Sequence, residues 1–233
     1  MTKQPTKAQP FHAGVPLPKR SSLTPDYQRD WPEYYTAVEG KPPRDTLLKA
    51  LALFAAEPFD EVLGLRTAID IGCGSGRDSH ELLRQGWRVW ATDFHEESRK
   101  LTVQRVPPDA ADRFHYVMSA MEDLPASSQV PTAVDLVNAS FALPFCKPES
   151  FDSVWRWIER LTKGGGRFAG QFFGDRDEWK CVRPKSHFTR PQLEEVFRGW
   201  RIEHLEAVEK EGDDATGRPK YHHVFHVVAK REA

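Results

Sequence analysis

The run Ala68-Ile69-Asp70-Ile71-Gly72-Cys73-Gly74-Ser75-Gly76-Arg77-Asp78-Ser79 decides the fold. Its first four residues read as an apolar strand. Three alternating glycines follow, and the polar residues after them open a helix. Glycine lets the backbone turn sharply and lets a ligand approach with no Cβ in the way. The open N–H groups at the start of the next helix favour an anionic or electron-rich group.

The same alternation continues on both sides. Short apolar runs predict strands over Thr67 to Ile71, Arg88 to Thr92, His115 to Met118, Val134 to Asn138 and Arg167 to Phe173. Helical patterns cover Arg44 to Glu57, Ser79 to Gln85, Glu96 to Val106 and Pro148 to Leu161. In the first of these helices Leu47, Leu48, Leu51, Phe54 and Ala55 recur at three- and four-residue steps, which predicts one apolar face. Strand alternating with helix implies an α/β fold, a mostly parallel sheet with helices on both faces. Leu161-Thr162-Lys163 before Gly164-Gly165-Gly166 reads as a helix end with a glycine cap. Thr189 before Arg190-Pro191 reads as an N-cap, with that helix ending near Gly199. Two last strand-like runs, Arg201 to Val208 and His222 to Ala229, flank a polar loop, Glu209 to Lys220. With no helix between them they should pair as an antiparallel hairpin.

Composition narrows the function. A chain of 233 residues with 39% hydrophobic and 29% charged residues suits one folded domain. A formal charge of -1 lacks the signature of a non-specific nucleic-acid or membrane-surface binder. No apolar run is long enough to span a bilayer, and the N-terminus has no apolar segment of a secretory signal. Cys73, Cys146 and Cys181 are widely spaced, which argues against a disulfide framework or a zinc site and fits a reducing cytoplasm. Residues 1 to 25 hold five prolines, four basic residues and no acidic one, so they read as a mobile or extended arm. The division expected is an arm and aromatic cap over residues 1–43 and a cofactor-binding domain over residues 44–233.

The glycine loop departs from the dinucleotide pattern G-x-G-x-x-G, because Arg77 stands where the third glycine packs helix against strand. The pattern is D-x-G-x-G-x-G instead. A carboxylate at Asp70 would repel a pyrophosphate. It would attract the amino group of an amino-acid ligand, directly or through water. Asp93 lies 23 residues after Asp70, at the tip of the next strand, where an acid accepts both ribose hydroxyls. These residues resemble the first motif and the ribose-binding acid of the class I S-adenosylmethionine-dependent methyltransferases. The resemblance covers roughly residues 44 to 230, and the aromatic segment with Gln171-Phe172-Phe173-Gly174 is most similar to bacterial small-molecule and tellurite-resistance-type enzymes. It implies a Rossmann-like, doubly wound sheet of seven strands whose last two form the hairpin.

The resemblance also implies a site. S-adenosyl-L-methionine would lie against Asp70, Gly72, Cys73, Gly74, Gly76, Asp93 and Phe94. Family members often carry an aspartate for the adenine amino group where this chain has Ala120; Met121 would cover the adenine and Glu122 is the nearest acid. Asn138 ends the fourth strand beside the reacting methyl. Enzymes that methylate exocyclic amines carry Asn/Asp-Pro-Pro-aromatic here, whereas this chain has Asn138-Ala139-Ser140-Phe141. The missing prolines and the balanced charge argue against a nucleic-acid substrate. Trp31, Tyr35, Phe141 and Phe145 are the expected substrate pocket, with Tyr34 and Arg44 nearby.

Methyl transfer is an in-line displacement whose leaving group departs neutral, so positioning carries most of the rate and no dedicated base is obligatory. Tyr35, Asp175 and His187 are the candidates for one, with Asp177 behind them. His222 and His226 share a strand face while His223 points away, which leaves no third ligand for a metal. The expected activity is methyl transfer to a small-molecule acceptor. An NAD(P)-dependent oxidoreductase on a Rossmann fold and a non-catalytic cofactor-binding domain are the alternatives.

Overall fold

The computed structural model describes residues 29–58, 64–182 and 185–232. The proline-rich arm expected over residues 1 to 25 lies outside them. Strand β1, Thr67–Ile71, is buried from Ala68 onward. It pairs in parallel with β2, Arg88–Asp93, on one side and β4, Val134–Ala139, on the other. With β3, Phe114–Met118, β5, Thr162–Gly174, β7, Trp200–Asp213, and β8, Pro219–Arg231, the sheet order is β3-β2-β1-β4-β5-β8-β7. These are the seven strands expected, and β8 joins β5 antiparallel. An eighth, β6, His187–Phe188, adds two residues in parallel to the end of β5.

Side chains alternate along each strand, so each face of the sheet collects its own helices. Ile69, Val137, Phe168 and Phe172 pack with α5, Pro148–Leu161, and α6, Arg190–Val196. Trp155 of α5 lies edge-on to Phe197 with ring centres 4.9 Å apart, and its indole N–H donates to the Val196 carbonyl at 2.9 Å. Ala68, Leu136, Ala169 and Val228 face the other way, onto α2, Asp45–Ala55, and α3, Arg77–Arg84. Each fully buried Leu or Phe on these faces contributes about 1.5–3 kcal/mol by leaving water. The other α-helices among the described residues are α1, Trp31–Ala37, and α4, Glu96–Gln104.

Three expectations need correction. Leu48 is exposed, because the buried stripe of α2 runs through Leu47, Ala50, Leu51 and Phe54 and Leu48 lies a step round the helix. No glycine caps α5: Thr162 turns straight into extended backbone, and its hydroxyl donates to the Ile158 carbonyl at 2.7 Å. The glycines after it belong to β5. The hairpin is also longer than its apolar runs, since Glu209 to Asp213 pair with Pro219 to His223 and only residues 214–218 turn. Backbone hydrogen bonds carry that extension, and its charged side chains lack the apolar alternation that marks a strand.

Opposite the carboxyl edge of the sheet, Arg167 is buried to 1% exposure. It pairs with Glu57 at 2.8 and 3.0 Å and with Glu203 at 2.7 and 3.2 Å, and its guanidinium lies over the Phe54 ring. The bond from Arg167, aided by Lys230, pulls the Glu57 carboxyl down to about 2. Glu57 therefore adds stability above the ordinary glutamate range and loses it as the pH falls toward 2. Arg167→Met should lower unfolding free energy by roughly 3–5 kcal/mol in urea titration, because it strands two carboxylates. A loss under about 1 kcal/mol would show that this cluster ties nothing together.

Candidate functional site

At the carboxyl end of β1 the chain turns through Gly72 (φ 64°) and Gly74 (φ 57°), both left-handed. A Cβ on Gly72 would stand 2.7 Å from the Ala142 Cβ, and one on Gly74 would stand 3.4 Å from the Tyr35 ring. The loop is thus held between the turn after β4 and helix α1. Beneath it Asp70 is buried to 1% exposure. Its carboxylate accepts from the Ser79 hydroxyl at 2.6 Å and the Asn138 amide at 2.8 Å. The same Asn138 nitrogen donates to Asp78 at 3.1 Å, and Asp78 accepts the Arg44 backbone N–H at 3.0 Å. Burial, reinforced by the Asp78 charge, pushes the Asp70 carboxyl up to about 7.

Asp93 ends β2 and lines the cleft. Its two oxygens accept the Gly74 and His95 backbone N–H groups, each at 3.0 Å. Burial raises this carboxyl above its ordinary range, and the two amides pull it back. A carboxylate oxygen has more than one lone pair, so each remains able to accept a further hydroxyl. Beside it Phe94 is 54% exposed, a large apolar ring at the mouth of the cleft, and Met121 faces it from the loop after β3.

The cleft has a volume of about 550 Å³. Its floor is the set of loops after β1 to β4. One wall is the β7–β8 ribbon, where Glu206 and Val208 on β7 and His222, Val224 and His226 on β8 face inward at every second residue. Its roof is α1, whose N-cap is Asp30 and whose buried Tyr35 rests on the glycine loop. Arg29 joins Asp214 at 3.3 Å and Glu33 joins Arg218 at 3.1 Å, so the roof is tied to the hairpin turn. The Trp31 ring contacts Phe94 and Phe145, with centres 6.1 and 5.2 Å away, and so spans the two ends of the cleft.

Residues 69–170, which contain this loop and Asp93, match the family model for a methyltransferase domain. The chain carries a methyltransferase domain on a Rossmann-like sheet. No curated protein matches the sequence. Among solved structures, TehB from Haemophilus influenzae superposes with TM-score 0.60 at 18% identity, over 77% of this chain and 61% of that one. The 1,6-didemethyltoxoflavin-N1-methyltransferase of Burkholderia thailandensis gives 0.57 at 20% identity, over 87% and 85%. Magnesium protoporphyrin IX methyltransferase from Synechocystis gives 0.57 at 16%, over 87% and 91%.

The residues present fit the cofactor of such a methyltransferase. Gly72 and Gly74 open backbone to the cleft, Asp93 offers acceptors for a ribose diol, and Phe94 and Met121 offer apolar faces for a base. Several expected contacts are corrected. Asp70 and Asn138 lie under the loop, outside the cleft lining, and hold each other and Ser79. Direct contact between Asp70 and an amino group is therefore closed off. The Cys73 thiol turns inward to Ser98 and Thr102, and burial raises its pKa well above the ordinary value. Gly76 caps α3 against Thr102 and His80. Ala120 and Glu122 do not line the cleft, and Glu122 accepts the Lys147 backbone N–H at 3.1 Å.

The pocket residues Trp31, Tyr35, Phe141 and Phe145 all line the cleft, whereas Asp175 and His187 do not. Asp175 sits 3.6 Å from His223, and His187 lies tilted against Phe173, ring centres 5.5 Å apart, with one ring nitrogen at the Lys185 carbonyl. The chain turns away after β5 because Asp177 is drawn into a buried pair with Lys220 at 2.6 Å. Tyr35 reaches the cofactor end, but burial and the Asp93 charge raise its phenol far above the ordinary range, so it is a neutral hydroxyl and no base. The inward ribbon residues carry no such expectation in sequence; period-two alternation of His222, Val224 and His226 was the available signal.

Asp93→Ala should weaken S-adenosylhomocysteine binding by about tenfold or more in calorimetry, through lost charge-assisted hydrogen bonds. In the wild type that affinity should fall as the pH drops through the raised Asp93 range, because only the carboxylate accepts both hydroxyls. An affinity flat down to the ordinary aspartate range would place the ribose elsewhere.

Proposed function

We propose that this methyltransferase moves a methyl group from S-adenosyl-L-methionine to a small-molecule acceptor bound between the loop after β4 and the β7–β8 ribbon. The observation that carries this reading is the roofed cleft, with the glycine loop and Asp93 at one end and Phe141 and Phe145 at the other. Its volume of about 550 Å³ lies in the range of small-ligand sites. A roof tied down at Arg29 and Glu33 leaves no open groove for a polymer. Neighbours of the same fold support the acceptor class, since one was crystallised with 1,6-didemethyltoxoflavin and another is a magnesium protoporphyrin IX methyltransferase.

When bound, the cofactor supplies a methyl carbon made electrophilic by a positively charged sulfur. The chain supplies position and dryness. Asp93 fixes the ribose, Phe94 and Met121 flank the base, and the backbone at Gly72 and Gly74 borders the amino-acid part. Arg44 lies over the Phe141 ring at the acceptor end of the cleft, its Nε buried without a partner. Trp31, Tyr34 and Tyr35 close over the two ligands and exclude water, which strengthens every polar contact inside. Residues 29–43 thus act with the domain as its cap. The three cysteines are free and no described helix is long and apolar enough to cross a membrane, which supports a cytoplasmic enzyme.

Calorimetric titration separates this reading from a nicotinamide enzyme on the same sheet. S-adenosylhomocysteine should bind and NAD should not, since Arg77 fills the place of the third dinucleotide glycine. Tight NAD binding with none of the nucleoside would overturn the proposal. Labelled methyl donor incubated with protein and a metabolite extract should then transfer label to small solutes and leave macromolecules unlabelled.

A further inference from the structure

The described histidines sort by what holds them. His80 meets the Thr102 carbonyl, His95 caps α4, and His222 meets the Asp213 carbonyl. His223 is buried and accepts the Arg176 backbone N–H. His187 is turned to the Lys185 carbonyl, His204 lies 3.6 Å from Glu206, and His115 is exposed and stacked on Trp90 at the far edge of the sheet. His204 also lines the cleft without a hydrogen bond but lies against Glu206, whereas His226 faces Phe141. His226 is half-buried, faces the cleft, and has no hydrogen bond from either ring nitrogen to a described residue.

Its neighbour is unusual. Phe141, just past β4, has φ 55°, left-handed backbone in a residue with a bulky side chain. Such a conformation is strained and persists only when its surroundings impose it. Here Gln171 imposes it: its carbonyl accepts the Phe141 N–H at 2.9 Å, while its amide donates to the buried Thr46 hydroxyl at 2.9 Å. Gln171 lies directly across the β5–β8 pairing from His226. The Phe141 ring is presented edge-on to the His226 imidazole, centres 6.1 Å apart, and carries the Arg44 guanidinium over it at 4.5 Å. One corner of the cleft therefore combines an aromatic wall, an imidazole with free nitrogens and a cation.

We propose that His226 accepts the proton of the methyl acceptor, and that the acceptor is a planar compound whose nucleophile is a weakly acidic O–H, N–H or S–H group. The proposal rests on the methyltransferase reading and names the acceptor class for that same cleft. The proton passes from the nucleophilic atom to an imidazole nitrogen. The electron pair left behind forms the new bond to the methyl carbon, and the electrons of the broken carbon–sulfur bond stay on sulfur, which departs neutral. Arg44 favours the negative charge that develops on the acceptor. The charged and titratable groups around His226 are Glu206 and His204 on β7 and Arg44 and Asp45 at the start of α2. Burial, with Arg44 and His204, outweighs Glu206 and lowers the imidazole below its ordinary range, so it is unprotonated at neutral pH and free to accept.

The test needs no turnover. Para-nitrophenol is a planar weak acid whose phenolate absorbs visible light, so its ionisation in the site is read directly. With protein saturated by S-adenosylhomocysteine, the bound probe should ionise with a constant at least about tenfold larger than in free solution, one unit of pKa. The shift should vanish as the pH falls and His226 takes a proton from solvent. His226→Gln should still bind the probe, and the shift should be lost. Para-nitroanisole should compete for the site with no ionisation signal. A second measurement uses the wild type alone: nitrogen-labelled histidine should show one imidazole become imidazolium when the probe is added at neutral pH. An unshifted probe in the wild type, a shift that survives His226→Gln, no new imidazolium, or no binding of the probe to the loaded protein would each overturn the proposal. Protein that fails to bind S-adenosylhomocysteine would remove the cofactor reading first and this proposal with it, so the two failures are told apart.

Discussion

One side-chain amide holds the site together. Asn138 donates a single nitrogen to two buried carboxylates, Asp70 on β1 and Asp78 on α3. Asp70 in turn takes the Ser79 hydroxyl, and Asp78 takes the backbone N–H that opens α2. Four elements are thereby fixed at one point under the glycine loop. Two full charges this close in a dry interior are costly. The chain meets the cost with Arg77, 3.8 Å from Asp78, and by letting Asp70 hold its proton into the neutral range. The loop above can then be all backbone, because its support comes from below.

The cleft is assembled from segments far apart in the chain. Asp93 and Gly74 form one end from consecutive strand–loop units, whereas the opposite end draws on α1, the loop after β4 and the last two strands. The register of β8 against β5 sets which ribbon residues look inward, since Phe172, Gln171 and Gly170 face Phe225, His226 and Val227 in turn. A slip of one residue would turn His226 out of the cleft and bring Phe225 into it. The apolar residues Val227 and Ala229, buried against the core, hold that register.

How much was legible in the sequence follows from how local each feature is. The strand–glycine–helix unit and Asp93 sit within a few residues of one another, and the alternation of strand and helix gave the sheet. The fate of Asp70 was not legible, because the residues that bury it, Asn138 and Asp78, come from other elements and the motif reads the same whether its acid faces the ligand or the core. Asp175 and His187 follow β5 and looked well placed. The buried Asp177–Lys220 pair bends that loop aside, and nothing near Asp177 in sequence announces Lys220 as its partner. The ribbon was read short for a related reason: Glu209-Lys210-Glu211 has no apolar period, yet its backbone pairs fully. His226 lay in plain view as one of three clustered histidines, and only the β5–β8 register shows which way it points.

The seam between α1 and the hairpin turn is closed by two ion pairs of different character. Arg29 and Asp214 are almost wholly shielded from solvent, whereas Arg218 and Glu33 stand in it. Dissolved ions weaken an exposed pair and scarcely touch a shielded one. Ionic strength therefore acts on one end of the seam only, so added salt weakens the tie at Glu33 and Arg218 and leaves the tie at Arg29 and Asp214 in place.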